Sequence, residues 1–290
     1  MRSSTRNSTH TIGKNTQIPA AGSVEPVSFV VAANDRAILE SNFLASPCLQ
    51  GDGRHEILIQ ENFASAALAY NDALERSRND LIVLCHQDVF FPTEWLSDLA
   101  KAMAYLEIHD PLWGVLGCSG ITSNRRHWRY IYSSGLGTSG APLANPEPVQ
   151  TLDEMVLVVR KSSGLRFDSD LPHFHLYGAD VCLRAAAVGL KSYVISAFCV
   201  HNTQQIFVLP KEFYRCCKHI RRVWRQSLPI RTTCIRLTKY NIPVYLRRLQ
   251  ELHLRYIRRK ALGAGRSPRV ESIYEASRRA TTVSDNLLTK

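Results

Sequence analysis

Residues 80–92 constrain this chain more than any other stretch: Asp80-Leu81-Ile82-Val83-Leu84-Cys85-His86-Gln87-Asp88-Val89-Phe90-Phe91-Pro92 is an apolar run of strand length that stops at three polar side chains. The run predicts a fully buried central strand. In open α/β sheets ligands bind beyond the carboxyl ends of the strands, so His86, Gln87 and Asp88 are placed for chemistry. A carboxylate there can hold a hard divalent cation, which takes its remaining oxygens from water and substrate phosphates. Asp88 can equally cap the helix expected after Pro92, Thr93 and Glu94, because Asp is a favoured helix-start residue.

The rest of the chain repeats the rhythm that such a strand requires. Val27 to Ala33 is a first strand with Asn34-Asp35-Arg36 as the turn into a helix, and Glu56 to Gln60 is a second strand closed by Glu61 and Asn62. Ala64 to Arg76 is helical in pattern, as is Trp95 to Ile108, whose Leu96, Leu99, Met103 and Leu106 recur at core spacing. Further strands are read at Trp113 to Gly120, Met155 to Val159 and Lys191 to Val200. Alternating strands and helices predict an α/β fold with a mostly parallel central sheet and helices on both faces. Residues 121–149, with Arg125-Arg126-His127-Trp128, a Gly/Ser stretch and three prolines, read as loop and short strand.

Several polar residues stand out against this frame. A helix N-terminus after a buried strand can receive a phosphate, which singles out Asn34 and Asp35, although either also serves as an ordinary cap. Asn71 sits in apolar company on its helix and faces a partner, with a backbone-satisfied buried Asn as the bland alternative. Asp180 falls in the first turn of a helix from Val181 to a Gly189 stop, where Asp is also a frequent structural device. His201 ends the last strand, where a neutral imidazole can ligate a metal. His173 and His175 lie on opposite sides of an extended chain, which favours packing roles.

Charge divides the chain. Residues 211–290 hold about 20 Lys and Arg against 5 acids, while the first 210 hold about 16 against 20, so the net +11 belongs to the C-terminal part. There, Val244 to Leu262 carries Leu246, Leu249, Leu252, Tyr256 and Leu262 beside a cationic face, a pattern suited to an anionic membrane surface or to a partly docked helix. The expected organisation is a disordered tail over 1–24, an α/β domain over 25–210, a basic helical extension over 211–264 and a disordered tail over 265–290. No apolar run approaches the ~20 residues that span a bilayer, and no apolar signal core follows Arg2 and Arg6. Eight scattered cysteines without a CxxC pair suit buried free thiols in a reducing compartment, and argue against zinc.

Together these stretches resemble the GT-A glycosyltransferases, in a family-2-like branch whose Asp-x-Asp motif appears as His-Gln-Asp-Val, here His86-Gln87-Asp88-Val89. The resemblance covers residues 27 to about 205, and includes Ala69-Tyr70-Asn71 and the Tyr177 to Arg184 segment. It implies the GT-A fold and transfer of a sugar from a nucleotide-diphosphate sugar to an acceptor hydroxyl, with inversion and assistance from Mn2+ or Mg2+. Asp88 then matches the metal-holding Asp of the motif and His201 a later His that completes the site. Ala33, Asn34, Asp35, Glu61, Asn62, Asn71, His86 and Gln87 fall where the nucleotide-sugar is bound. Asp180 matches the family's general base, with Asp153 in reserve, since an inverting transfer needs a carboxylate within reach of the attacking hydroxyl. His86 stands where the first Asp is usual, removing one negative charge, and Ala179 where Glu is usual. The implied setting is bacterial polysaccharide or glycoconjugate synthesis on a glycan, lipid-linked or protein acceptor, in the cytoplasm at the inner membrane face. The alternative is a non-catalytic protein of this fold that engages an anionic polymer or membrane through its basic C-terminus. Without a nucleic-acid module, basic charge alone does not argue for nucleic acid as a partner.

Overall fold

The computed structural model describes residues 25–50, 53–134, 136–204, 208–257, 266–267 and 269–278. The tail expected over 1–24 lies outside the described residues. Strand β1 (Val27–Ala32) has its first five residues fully buried and leads into α1 (Arg36–Ser41), whose first turn is closed by the Asp35 carboxylate accepting from Ile38 N at 3.1 Å. β2 (Glu56–Gln60) is followed by α2 (Ala66–Arg76), capped by Ser65. β3 (Leu81–His86) and β4 (Val89–Phe90) precede α3 (Trp95–His109). The residue at the start of α3 is Glu94, without a side-chain cap bond, so capping is not what Asp88 does.

β5 (Trp113–Gly117) returns to the sheet, and the chain then forms β6 (Ser119–Ile121), β7 (His127–Ser133) and β8 (Gly137–Gly140) outside it, β9 (Glu147–Val149) at its far edge, and β10 (Thr151–Leu152) outside it again. β11 (Val156–Arg160), α4 (Tyr177–Ala187), β12 (Lys191–Val194) and β13 (Cys199–His201) complete the α/β part. The seven-stranded sheet has the order β2-β1-β3-β11-β5-β12-β9. β1 is parallel to β2 and β3, β5 is parallel to β12, and β11 runs antiparallel between β3 and β5, so five strands share one direction. β11 is reversed because the chain re-enters the sheet from the excursion over β6 to β10. β6, β7, β8 and β10 of that excursion join β4 and β13 in a smaller six-stranded sheet of order β10-β6-β7-β13-β4, with β8 paired to β7. The fold class read from the sequence is therefore present, with an antiparallel strand at its centre that strand and helix rhythm cannot reveal.

One core lies between the sheet and α1 and α3, around Phe29, Phe43, Phe91, Trp95 and Leu99; the other is covered by α2, α4 and α5 (Lys211–Val223). The boundary expected at residue 210 is corrected here, because Phe213, Cys216, Cys217 and Ile220 of α5 are buried in the same cluster as Tyr177 and Val181. Spacings of three and four place them on one stripe. A hairpin of β14 (Ile230–Arg231) and β15 (Arg236–Leu237) leads to α6 (Ile242–Ile257). α6 is held by Glu251, which accepts from Tyr214 Oη at 2.7 Å and Leu209 N at 3.1 Å. Its Leu246, Leu249 and Leu252 are more than half exposed.

The disordered tail expected over 265–290 is likewise corrected in its described part, where residues 270–278 form a helix, α7. Val270, Ile273 and Tyr274 pack against Phe90 and Val200, and Glu94 accepts from Tyr274 Oη at 2.7 Å. A stripe of three residues in a polar stretch is too brief to show in the sequence. Among the described residues no helix is long and apolar enough to cross a membrane. Seven cysteines are buried free thiols and Cys234 is an exposed one.

Candidate functional site

Parallel register brings three strand ends together. Ala32 is opposite Gln60 on one side and His86 on the other, so the residues that follow each strand stand side by side at the carboxyl edge. They line a cleft of 570 Å³ whose walls include Ala33, Asn34, Asn62, His86, Gln87 and Asp88. Gln87 fixes the first wall. Its Oε1 accepts from the backbone N–H groups of Asn34 and Asp35 at 2.9 and 3.0 Å, and its Nε2 donates to Asn34 Oδ1 at 2.7 Å. The β1 to α1 turn is thereby held open against the strand end.

A potential metal centre forms one edge. β13 pairs antiparallel with β4, His201 opposite Val89, which sets His201 beside Asp88. One ligand atom from each of His86, Asp88 and His201 lies within 4.8 Å of the others, and His201 Nε2 is 3.4 Å from Asp88 Oδ1. Burial works to raise the Asp88 carboxyl, but His201, His86 and Arg266 outweigh it and hold the group well below the usual carboxylate range. Burial works against a charged His201, and Asp88 reverses this and raises the imidazole. His86 is pushed down to about 4, first by burial and then by His201, so it is neutral at pH 7.

Tyr177 decides which nitrogen of His86 is available. Its hydroxyl donates to Glu154 O at 3.0 Å and lies 2.9 Å from His86 Nε2. With its one proton committed to the carbonyl, the hydroxyl accepts from Nε2–H, and the lone pair of the neutral ring is on Nδ1. α4 reaches this position because Gly178 lets it approach the 152–154 backbone, where a Cβ would stand 2.9 Å from Leu152 O. Tyr177→Phe is expected to weaken Mn2+ affinity by about tenfold through loss of this orientation. Calorimetry with Mn2+ checks it, and unchanged affinity would remove Tyr177 from the metal site.

Other residues expected at the site are elsewhere. Asn71 is bonded to the backbone of Phe167 in both directions, Nδ2 to O and N to Oδ1, each at 2.9 Å, so it ties α2 to the 165–171 segment. Asp35 caps α1, and Glu61 is exposed at the end of β2 outside the cleft lining. Asp180 lies outside the cleft lining. It is fully buried, with Oδ2 accepting from Arg184 Nε at 2.7 Å and Asp168 N at 3.1 Å, and Oδ1 from Trp224 Nε1 at 2.8 Å. These three bonds give the carboxylate a place in the fold. Asp153 is partly exposed, accepts from Met155 N at 3.2 Å and Thr233 Oγ1 at 2.7 Å, and favours the protonated form of both His86 and His201 by its charge.

Two contributors escaped the sequence reading. Tyr70, Phe63, Phe174, His175 and Tyr177 supply the aromatic part of the lining, which no spacing rule identifies. Arg266 arrives from the far end of the chain, its Nη2 3.4 Å from Asp88 Oδ2, and its buried Nε has no hydrogen-bond partner among the described residues. Asn202 is what brings it there: Nδ2 donates to Ser267 O at 2.8 Å and Oδ1 accepts from Ser267 N at 2.9 Å. The His201-Asn202 pair thus couples a candidate metal ligand to a clamp, and only the first half of it was legible.

No family model matches the chain. Among curated proteins, the ATP synthase subunits region ORF 6 of Fuscovulum blasticum is 27% identical over 169 residues, which cover 55% of this chain. The match spans 66% of that relative, just under two thirds of its length. Among solved structures, the mannosyltransferase PcManGT from Pyrobaculum calidifontis in complex with GDP-Man and Mn2+ is similar at a TM-score of 0.43 and 14% identity, over 74% of this chain and 68% of that one. TarS 1-349 of S. aureus in complex with UDP-GlcNAc gives 0.42 and 14%, over 67% and 65%.

Proposed function

We propose that the chain is a GT-A glycosyltransferase that moves a sugar from a nucleotide-diphosphate sugar to an acceptor hydroxyl, with inversion and with a divalent cation held by His86, Asp88 and His201. The observation that carries the reading is the convergence of these three side chains at the carboxyl edge of the sheet, beside a cleft of nucleotide size. The donor set fits a cation, with one carboxylate and a neutral imidazole whose lone pair is available. Two imidazoles among three ligands favour Mn2+ over Mg2+, which prefers oxygen. A bound cation would supply charge stabilisation to the departing diphosphate.

The chain's own residues supply the rest. Arg266 presents a fixed positive charge and an unpaired N–H beside the metal ligands, suited to a diphosphate oxygen. Asn34, held by Gln87, forms the nucleoside wall, and Phe63 and Phe174 offer apolar faces to the base. Asp153 takes the place of Asp180 as the proposed general base, oriented by the Thr233 hydroxyl. Polysaccharide or glycoconjugate synthesis is the proposed setting. The specific observation favouring a second reading, a non-catalytic binding protein of this fold, is that Asp180 is sealed in the interior.

Titration of the protein with UDP, GDP, CDP and dTDP in Mn2+, Mg2+ or EDTA tests the donor site. One nucleotide is expected to bind with Mn2+ and to be released by EDTA. Affinity is expected to fall with pH through the raised His201 value, because the imidazole must give up its proton to ligate. Binding of no nucleotide under any condition would transfer the argument to the second reading.

A further inference from the structure

The 168–175 segment separates two depressions. Phe174 and His175 face the nucleotide-sized cleft, while Asp170 and Pro172 line a second hollow of 650 Å³ beside α5. Six Lys and Arg residues line that hollow against the single carboxylate of Asp170. Arg215, Lys218 and Arg222 of α5 are exposed and recur at spacings of three and four, so they form one stripe, and the exposed Arg225 follows just past the end of the helix. Like charges on such a stripe repel unless something neutralises them.

Arg221 shows that the cationic rim is positioned. Its Nε and Nη2 donate to the carbonyls of Thr238 and Lys239, each at 2.9 Å, which locks the 238–240 turn against α5. Arg215, Lys218 and Arg225 have no hydrogen bond or ion pair among the described residues, and their donors face solvent. The hollow has the makings of a phosphate site, since guanidinium and ammonium groups converge where a dianion would be shared among them.

A groove lies between the first turn of α5 and α6: Leu209, just before α5, Tyr214 of α5 and Tyr245, Leu249 and Leu252 of α6 line a channel of 500 Å³, with Lys211, Arg248 and Glu251 also in its walls. Lys239 and Tyr240 of the basic hollow run directly into α6, and Leu249 and Leu252 are each 61% exposed. A cationic hollow and an exposed leucine face that both border α5 have the charge and polarity pattern of a single amphiphilic ligand.

We infer that the two depressions form one site for a lipid-borne phosphate, with the phosphate among Arg215, Lys218 and Arg225 and the apolar chain along Tyr245, Leu249 and Leu252. As the seat of the acceptor this rests on the glycosyltransferase reading, whereas as a binding site it stands alone. The shared 168–175 wall sets the phosphate end next to the donor cleft, which is what transfer to a lipid-linked acceptor requires.

Farnesyl phosphate, farnesol and inorganic phosphate, titrated separately into the full chain by calorimetry, test the inference. Farnesyl phosphate is expected to bind at least about tenfold more tightly than either half alone. The variant Arg215→Gln/Lys218→Gln/Arg225→Gln is expected to bind it no better than farnesol, and Leu249→Ser/Leu252→Ser no better than inorganic phosphate. All five side chains are exposed, so circular dichroism should show both variants folded. Equal affinity for the three probes, unchanged affinity in either variant, or displacement by single-stranded DNA at lower concentration than farnesyl phosphate overturns the inference. Nucleotide titrations in Mn2+ on the same preparations separate the two readings. Nucleotide binding without farnesyl phosphate binding removes the lipid site alone, and the reverse pattern removes the donor site alone.

Discussion

Asp88→Ala is expected to abolish the proposed Mn2+-supported nucleotide binding, with a loss on the order of 10²-fold or more, because changes even to the groups that support metal ligands cost 10- to 100-fold. The physical reason is specific to this site. Asp88 is the one carboxylate among the three candidate ligands, 94% buried, and it is the counter-charge of both His201 and Arg266. Removing it leaves an imidazole and a guanidinium facing each other across a small space with no anion between them. The proposed cation would lose the only anionic ligand among the described candidates, and the repulsion is expected to displace Arg266 from its place beside the cleft. Titration with and without EDTA reads the result, and an affinity equal to that of the unaltered protein in both conditions would rule out a metal role for Asp88. Asp88→Asn keeps the volume and isolates the charge, and it is expected to resemble Asp88→Ala in metal binding.

Asp180→Ala acts on the fold. Three donors converge on this carboxylate, and deleting it leaves Arg184 without one of its two anionic partners and Trp224 Nε1 without an acceptor. Breaking a buried ion pair from one side costs about 3 to 5 kcal/mol, and in a chain of this size that lowers Tm by on the order of 10 °C. Thermal unfolding followed by circular dichroism measures it. The contrast with Asp153 gives the test its force. Asp153→Asn is expected to leave Tm and nucleotide binding nearly unchanged while transfer to an acceptor falls by orders of magnitude. A stable Asp180→Ala protein that binds donor and fails only in transfer would restore Asp180 as the base.

How far the sequence could be read follows from how local each signal is. The strand ending at His86-Gln87-Asp88 was legible because burial on both faces leaves a continuous apolar run and the polar residues end it. Gln87 and His201 were legible for the same reason, as polar residues at strand ends. The surroundings of Asp180 were not legible because a helix-start Asp looks alike whether it faces a cleft or a tryptophan and an arginine. Trp224, which settles the matter, lies 44 residues away. Asn71 failed in the same manner, with its partner Phe167 at a separation of 96. β11 and α7 were obscured differently. Strand direction depends on where the intervening chain travels, and α7 has one short stripe that only contact with Phe90 and Val200 makes meaningful.

The Asn202 clamp has a consequence for how the protein comes into being. Asp88 and Arg266 are 178 positions apart, and Ser267, which the clamp grips, leaves the ribosome after every other described part of the cleft. A nascent chain can therefore complete both sheets and fold α1 to α5 while its cleft still lacks a guanidinium. The growing polypeptide is expected to carry an unfinished centre until residues 266–267 emerge and turn a folded scaffold into a complete site.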